Sequence, residues 1–431
     1  MATGTSLSPV FPLGSRLDER GVLEIGGCDT LELARTFGTP AYVVAEDDLK
    51  AKATAFVEAA RRLRPDMHVV FASKAFPCTA VLALFAREGL WCDAASGGEL
   101  HLALGAGFAP ERIVLHGNAK SEAELRMALR HRVGLIVIDN FDEIERLGAL
   151  VAEGEGVDLG AGGQPVLIRV TPDVRGQTHE KISTGQADSK FGFSMQAAGE
   201  AIARLRETPG ISLQGLHAHI GSQLLELEPF RRACRELAAL GDGVGGFDVL
   251  DVGGGLGVPY LEEQPAGPEV DEYMGTIAAA LEGFDGRVLV EPGRSLTANA
   301  GVTLYTVESV KQNVSRWVAV DGGMSDNLRP MLYGARYEAH VVDRFGGSTE
   351  CVLAGKHCES GDVIVREALL DDPRRGDVIV TPATGAYGFA MANNYNGVPR
   401  PPVVFCSGGH AREVVRRESF ADLTARDVAG A

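Results

Sequence analysis

Between residues 46 and 295, short apolar runs alternate with longer segments of helical period, eight times over. The runs fall at 69–72, 91–93, 113–118, 135–139, 166–170, 213–222, 249–255 and 288–291. Helical patterns fall between them, at 47–63, 79–87, 97–104, 141–153, 196–207, 228–239 and 270–281, with Ser121-Glu122-Ala123-Glu124 opening another as a capping box. Near-continuous apolar runs are what strands covered on both faces need, and such strands, when parallel, require helical crossovers. Eight strand–helix units predict a closed (β/α)8 barrel. An open doubly wound sheet is the alternative, but no GxGxxG follows the first run. The run ends are polar: Lys74, Asp93, His116, Asn118, Asp139, Arg169, His219, the glycines 253–255 and Glu291. Barrel strands all end on one face, so these residues, far apart in sequence, are predicted to converge there.

Beyond Arg294 the texture changes. Runs at 302–310, 317–320, 340–342, 349–353, 362–365, 377–380 and 403–405 are short, rich in β-branched residues and separated by turn residues, which predicts an all-β domain of sandwich or barrel-like form. Short strands at 22–25 and 41–44, with a helical turn at 31–37, precede the barrel and are expected to pair into that domain. The organisation expected is therefore a barrel at 46–295, with 1–45 and 296–431 forming the β domain. Residues 1–20 read as a mobile lead-in. The formal charge of −17 (41 basic against 58 acidic residues) comes without a basic run, which argues against nucleic acid or an anionic membrane as partner. No apolar stretch approaches the ~18 residues of a membrane span. The first residues lack the pattern of a signal peptide. Seven scattered cysteines without a CxxC pair fit a reduced cytoplasm rather than a disulfide framework or structural zinc.

Several stretches carry chemistry. Lysine is scarce, at 8 of the 41 basic residues, yet Lys74 stands at the end of the first run. A buried lysine there suits Schiff-base formation, with pyridoxal phosphate among the partners; a lysine paired to a carboxylate at the barrel end is the structural alternative. Asp251-Val252-Gly253-Gly254-Gly255 follows a late strand, where consecutive glycines let backbone N–H groups approach a phosphate, unless they form a plain tight turn. Glu291 in Glu291-Pro292-Gly293-Arg294 suits a protonated ring nitrogen, or else a salt bridge to Arg294. In His217-Ala218-His219 the strand period sends both rings to one face, and no carboxylate or cysteine lies nearby in sequence at zinc-ligand spacing. Cys358-Glu359-Ser360-Gly361-Asp362 offers a thiol beside acids, as a proton donor or as a buried turn cysteine.

Taken together, FASKA (71–75), DAASGGEL (93–100), HGNAKS (116–121), SKFG (189–192), HAHIGSQ (217–223), DVGGGLG (251–257), EPGR (291–294), RPMLYGA (329–335), CESGD (358–362) and GAYG (385–388) resemble the fold-type III pyridoxal-phosphate decarboxylases. The likeness is greatest to the diaminopimelate decarboxylases and spans nearly the whole chain. The resemblance implies that Lys74 carries pyridoxal 5'-phosphate as a Schiff base, that His219 stacks on its ring and that Glu291 meets the ring nitrogen. It puts Ser222, Gly253, Gly254, Gly255, Gly293 and Arg294 around the phosphate or the substrate carboxylate, with Tyr387 reaching the cofactor. Arg329 and Tyr333 would take the distal carboxylate of meso-diaminopimelate and Glu359 its distal amine, with Arg294 and Tyr387 also among the substrate-binding residues. Cys358 would supply the proton, from the neighbouring subunit of a homodimer with shared active sites. The activity implied is decarboxylation of meso-2,6-diaminopimelate to L-lysine and CO2, the last step of lysine biosynthesis. No metal is implied. Arg336 departs from the family pattern, where a smaller or aromatic residue is expected. Sister decarboxylases acting on ornithine, arginine, D-lysine or carboxynorspermidine are the nearest alternative, a racemase of the same barrel a more distant one. A non-catalytic cofactor-binding homologue would be expected to lose Lys74 or Cys358, and both are present.

Overall fold

The computed structural model describes residues 7–154, 162–172 and 189–428; the core of the long polar loop expected after the fifth strand lies outside the described residues. The chain divides into two compact units, one of Lys52–Gly257 and Gly267–Gly293, the other of Met1–Ala51, Val258–Ala266 and Arg294–Ala431. The helix Glu46–Leu63 runs from one unit into the other.

In the first unit the strands Met67–Ala72, Trp91–Ala94, Ile113–Leu115, Leu135–Ile138, Gln164–Thr171, Ile211–His217, Val249–Asp251 and Arg287–Val290 pair in that order, all parallel. The last pairs with the first, Val288 opposite Met67, so the sheet closes into the expected barrel. A two-residue strand, Phe193–Ser194, adds a further parallel pairing to Gln164–Thr171. Val70, Val114, Val137, Leu167, Val249 and Leu289 pack one against another in a buried cluster, each worth roughly 1.5–3 kcal/mol by burial. The helix after the third strand opens as its sequence predicts: Ser121 accepts from the Glu124 N–H and the Glu124 carboxylate accepts in return.

One buried ion pair frames the mouth. Lys120 donates to the Gly117 carbonyl at 2.7 Å, the Val137 carbonyl at 2.6 Å and Glu143 Oε1 at 2.6 Å, while Glu143 Oε2 accepts the Asp139 N–H at 3.1 Å. Burial lowers the lysine and raises the glutamic acid, and each partner opposes the other's shift. Every proton of the ammonium is used, which is the condition under which a buried pair is tolerated.

The second unit is β-rich. Its main sheet runs Val363–Leu370, Thr349–Ala354, Arg316–Val320, Gly301–Gln312, Ala41–Ala45, Val403–Ser407, His410–Val415, with His340–Val341 and Val378–Thr381 attached beside that path. Ala41–Ala45 sits inside this sheet, antiparallel to Gly301–Gln312 and parallel to Val403–Ser407, so the strand before the barrel does join the later ones. The other early strand does not. Leu23–Ile25 lies in a separate three-stranded sheet with Arg16–Leu17 and Cys28–Asp29. Residues 7–20 also differ from the expected mobile lead-in: Val10 and Phe11 are buried in the same core as Val43, Val302, Val380 and Val404. The Pro9-Val10-Phe11-Pro12 stretch carries too little periodicity to reveal that docking.

The sixth and seventh strands meet most tightly at a residue without a side chain. A Cβ on Gly215 would stand 1.7 Å from the carbonyl oxygen of Val249, its partner on the seventh strand, next to a register shift against the fifth. Replacing Gly215 by Ala should therefore destabilise the fold by about 3 kcal/mol or more. Thermal unfolding checks this: a melting temperature equal to that of the unaltered protein contradicts the tight approach.

Candidate active site

Each strand of the barrel delivers polar chemistry to one end. Lys74 follows the first strand in the single 3-10 turn Ser73–Ala75. It is exposed, not buried as expected from the apolar run before it: the strand ends at Ala72 and the turn carries Lys74 beyond the packed sheet, still near enough for its charge to act on Asp93 and His219. Asp93 is the penultimate residue of the second strand, His116 and Asp139 follow the third and fourth, Arg169 lies in the fifth and His217 ends the sixth, all of them buried. Ser222 and His219, both half-buried, lie just past the sixth strand.

The glycine run after the seventh strand has a structural demand of its own. A Cβ on Gly254 would meet the Glu291 carbonyl oxygen at 1.9 Å, and Gly253 and Gly255 take the positive φ values of 67° and 122°. Gly253 donates to Asp251 Oδ1 at 3.0 Å and Gly254 donates to His219 Nδ1 at 3.2 Å. Gly293 packs likewise against the first strand, where an added Cβ would stand 3.0 Å from the Ala72 Cβ.

At the centre lies a buried acid–imidazole cluster. His116 Nε2 is 2.8 Å from Glu291 Oε1, and His217 Nε2 is 3.3 Å from Glu291 Oε2. One ring nitrogen each of His116 and His217 and one carboxylate oxygen each of Asp251 and Glu291 all lie within 4.8 Å of one another. Linear spacing showed no carboxylate near the histidine pair, because the seventh and eighth strands bring Asp251 and Glu291 in from elsewhere. The cluster balances its own charge. Burial would raise Glu291, yet His116 and His217 outweigh it and hold the carboxyl well below its ordinary range. Burial would lower His116, yet Asp93 and Glu291 outweigh it and raise it. Burial drives Asp251 well up, reinforced by Glu291, and lifts Asp93 to about 6. Burial lowers His217 to about 4 and takes His219 well down, the latter aided by Lys74 and Arg169. The set thus contains an ionised Glu291, a neutral His219, an accessible amine and a glycine-rich strand end. Those are the donors a phosphorylated aromatic aldehyde with a basic ring nitrogen requires.

The β-rich unit holds a second cluster. Arg294, which opens the short helix Arg294–Thr297, is hydrogen-bonded to the Tyr260 hydroxyl and lies 5.0 Å from the Tyr387 ring centre. Arg329 is hydrogen-bonded to the Tyr337 hydroxyl and lies 4.8 Å from the Tyr260 ring centre. The Tyr260 and Tyr337 rings meet edge to face at 5.4 Å. Both arginines are buried. Burial would raise the Tyr260 phenol, but the two guanidinium groups outweigh it and lower it. Tyr333, half-buried, ends the helix Arg329–Tyr333. Tyr260 and Tyr337 were not foreseen as site residues; the only signal was Tyr337 standing four residues after Tyr333 in RPMLYGARY.

Elsewhere in this unit Cys358 is the one exposed cysteine among seven free ones, with Glu359 half-buried beside it. Their loop is organised by Asp362, which accepts from the Met324 N–H at 2.7 Å, the His357 N–H at 2.8 Å and His357 Nδ1 at 2.7 Å. The Cys358 N–H donates to Asn396 Oδ1 at 2.8 Å. No helix among the described residues is long and apolar enough to cross a membrane.

Comparison with known proteins agrees with this chemistry. Residues 47–298 match the family model described as the pyridoxal binding domain of pyridoxal-dependent decarboxylases. A diaminopimelate decarboxylase from Actinosynnema pretiosum subsp. auranticum is 46% identical over 433 residues, covering 97% of this chain and 95% of that one. The Bacillus subtilis diaminopimelate decarboxylase is 44% identical over 434 residues, covering 96% and 97%. Among solved structures, the diaminopimelate decarboxylase from M. jannaschii in co-complex with L-lysine superposes with a TM-score of 0.90 at 32% identity, covering 98% of this chain and 99% of that one. The Helicobacter pylori diaminopimelate decarboxylase complexed with L-lysine gives a TM-score of 0.86 at 32% identity, with 92% and 98% covered. Fold, cofactor chemistry and sequence likeness together place the chain in the diaminopimelate decarboxylase family of pyridoxal-phosphate-dependent enzymes.

Proposed function

We propose that this chain decarboxylates meso-2,6-diaminopimelate to L-lysine and CO2, the final step of lysine biosynthesis, with pyridoxal 5'-phosphate held at the barrel mouth. The observation that carries the choice of substrate is the buried Arg329, set between Tyr260 and Tyr337 and opening the helix that ends at Tyr333. A guanidinium held by hydroxyl and aromatic neighbours is pre-oriented for bidentate contact with a carboxylate, and a substrate with one carboxylate to lose needs a second to be recognised there.

When bound, the cofactor supplies an electron sink for the pair released as the bond from Cα to the departing carboxylate breaks. Lys74 anchors it through its amine, and the exposure of that amine leaves it accessible to exchange with the substrate's own. Glu291, as an anion, would hold the ring nitrogen, and the neutral imidazole of His219 would lie against the ring. Ser222, the backbone of Gly253, Gly254, Gly255 and Gly293, and Arg294 would hold the phosphate, with Tyr387 beside Arg294. Arg329 and Tyr333 take the distal carboxylate, and Glu359 the distal amine. Cys358 Sγ, exposed on its own subunit, holds the proton that replaces CO2 on Cα. Its exposure supports a homodimer in which each thiol serves the neighbouring mouth. Seven free cysteines and a biosynthetic role support a cytoplasmic setting.

The deciding measurement is CO2 release from meso-diaminopimelate against lysine, ornithine and arginine; faster turnover of any of the last three overturns the assignment. Lys74→Ala should lose the visible absorbance of the bound cofactor, and a retained band contradicts its anchoring role. Cys358→Ala should keep that band while its turnover drops. Mixing the inactive Lys74→Ala with Cys358→Ala should restore activity at up to about one quarter of all sites, as a two-fold dimer with shared sites requires. A mixture no more active than its components rules out sharing.

A further inference from the structure

Both oxygens of Glu291 are engaged by imidazoles that neither the substrate nor the anchoring of the cofactor requires. We propose that His116 and His217 are positioning residues of the reaction, gripping the Glu291 carboxylate from two sides so that it meets the cofactor's ring nitrogen in one orientation and as an anion. The inference rests on the assignment of Glu291 to that nitrogen.

Three parts of the geometry carry it. The first is the division of contacts. His217, ending the sixth strand, is hydrogen-bonded through Nε2 to Oε2 at 3.3 Å, and His116, from beyond the third, brings Nε2 to 2.8 Å from Oε1 as an ion-pair contact outside hydrogen-bond geometry, so the two oxygens face different imidazoles. The second is rigidity. The two imidazoles meet edge to face, with ring centres 4.8 Å apart and planes at 69°, so neither turns without displacing the other. His116 Nε2 is also 3.9 Å from Asp93 Oδ1, which places that ring between two carboxylates. The glutamate backbone is pinned as well: its N–H donates to the Gly253 carbonyl at 2.8 Å, and its own carbonyl presses on Gly254. With the backbone fixed, only side-chain torsions remain, and the imidazoles arrest those.

The third part is charge. Three carboxyl groups, Asp93, Asp251 and Glu291, crowd one buried volume faced also by Arg169, Lys74 and His219. Buried carboxyls so close cannot all ionise, and some must take up protons. The imidazoles decide which. His116 and His217 hold Glu291 ionised, whereas Asp251 is driven up by burial and by Glu291 itself. The consequence reaches the cofactor. A glutamate with a high proton affinity would take the proton from the nitrogen it faces and weaken the electron sink; one kept acidic by an imidazolium leaves the proton on the ring.

The test uses holoenzyme reconstituted with cofactor carrying 15N in the ring. In the unaltered enzyme the nitrogen resonance should sit at the protonated position. In His116→Gln it should move toward the unprotonated position, with kcat reduced about tenfold or more and KM changed by less than about twofold, the range seen when residues that orient a functional group are removed. His217→Asn should shift it the same way by less, because its contact is the longer. Glu291→Gln serves as the reference. If Glu291→Gln leaves the resonance in place, the assignment of Glu291 to the ring nitrogen is wrong. If Glu291→Gln moves it while the histidine variants do not, that assignment stands and the grip is refuted. Should His116→Gln fail to accumulate as folded protein, His217→Asn carries the same readout, and a wild-type resonance there refutes the grip equally.

Discussion

The site hangs on a backbone contact. The carbonyl oxygen of Glu291 lies where any side chain on Gly254 would have to be, 1.9 Å from an ideal Cβ. Because that space is empty, the seventh and eighth strand ends approach closely enough for the Glu291 N–H to bond the Gly253 carbonyl. That bond fixes the start of the glutamate side chain, which in turn lets imidazoles from the third and sixth strands meet its oxygens. Gly254 also donates to His219 Nδ1, so the same residue sets the ring expected to lie against the cofactor. The glycine run is therefore an alignment device for three strands as well as a candidate phosphate cradle, and the two roles make the same demand: no side chain.

The β-rich unit solves a different problem, that of holding buried cations in place with aromatic neighbours. Arg294 and Arg329 are surrounded by tyrosines, whose hydroxyls accept hydrogen bonds and whose ring faces attract positive charge. The phenol oxygens give the guanidinium groups acceptors, and the ring faces add a favourable electrostatic surface around the positive charge. The cysteine loop shows the complementary strategy: Asp362 absorbs three donors from Met324 and His357, leaving the neighbouring thiol held by its backbone and exposed.

Much of this was legible in the sequence, and what was not has identifiable causes. The barrel strands and their helices are visible because burial on both faces leaves unbroken apolar runs, and the Ser121 cap because its two partners are three residues apart. The convergence of Lys74, Asp93, His116, Arg169, His219 and Glu291 on one face follows from strand direction alone. The exposure of Lys74 was hidden because an apolar run says where a strand is and not where the chain turns out of it. The fully buried His217 paired with Glu291, and the Tyr260–Arg294 and Tyr337–Arg329 pairs, escape notice because most of the partners are brought together only by the fold. The burial of Phe11 is hidden for the opposite reason: its surroundings look like a loose terminus, yet its ring packs at a tilt against His340 and Phe345 in a core assembled from distant strands.

The pair formed by Lys120 and Glu143 has a consequence for how such a protein can change over time. Its ammonium has three acceptors and its carboxylate two donors, all within buried surroundings. Losing either partner leaves an uncompensated buried charge, at a cost of roughly 3–5 kcal/mol, whereas an apolar pair of similar volume is often tolerated. Neither residue can drift alone; the two form a locked unit that must be exchanged together or not at all. Since the same pair fixes the loops carrying Gly117 and Asp139, sequence variation at this side of the barrel mouth is expected to be steep-walled, while the exposed helix surfaces around it remain free to vary.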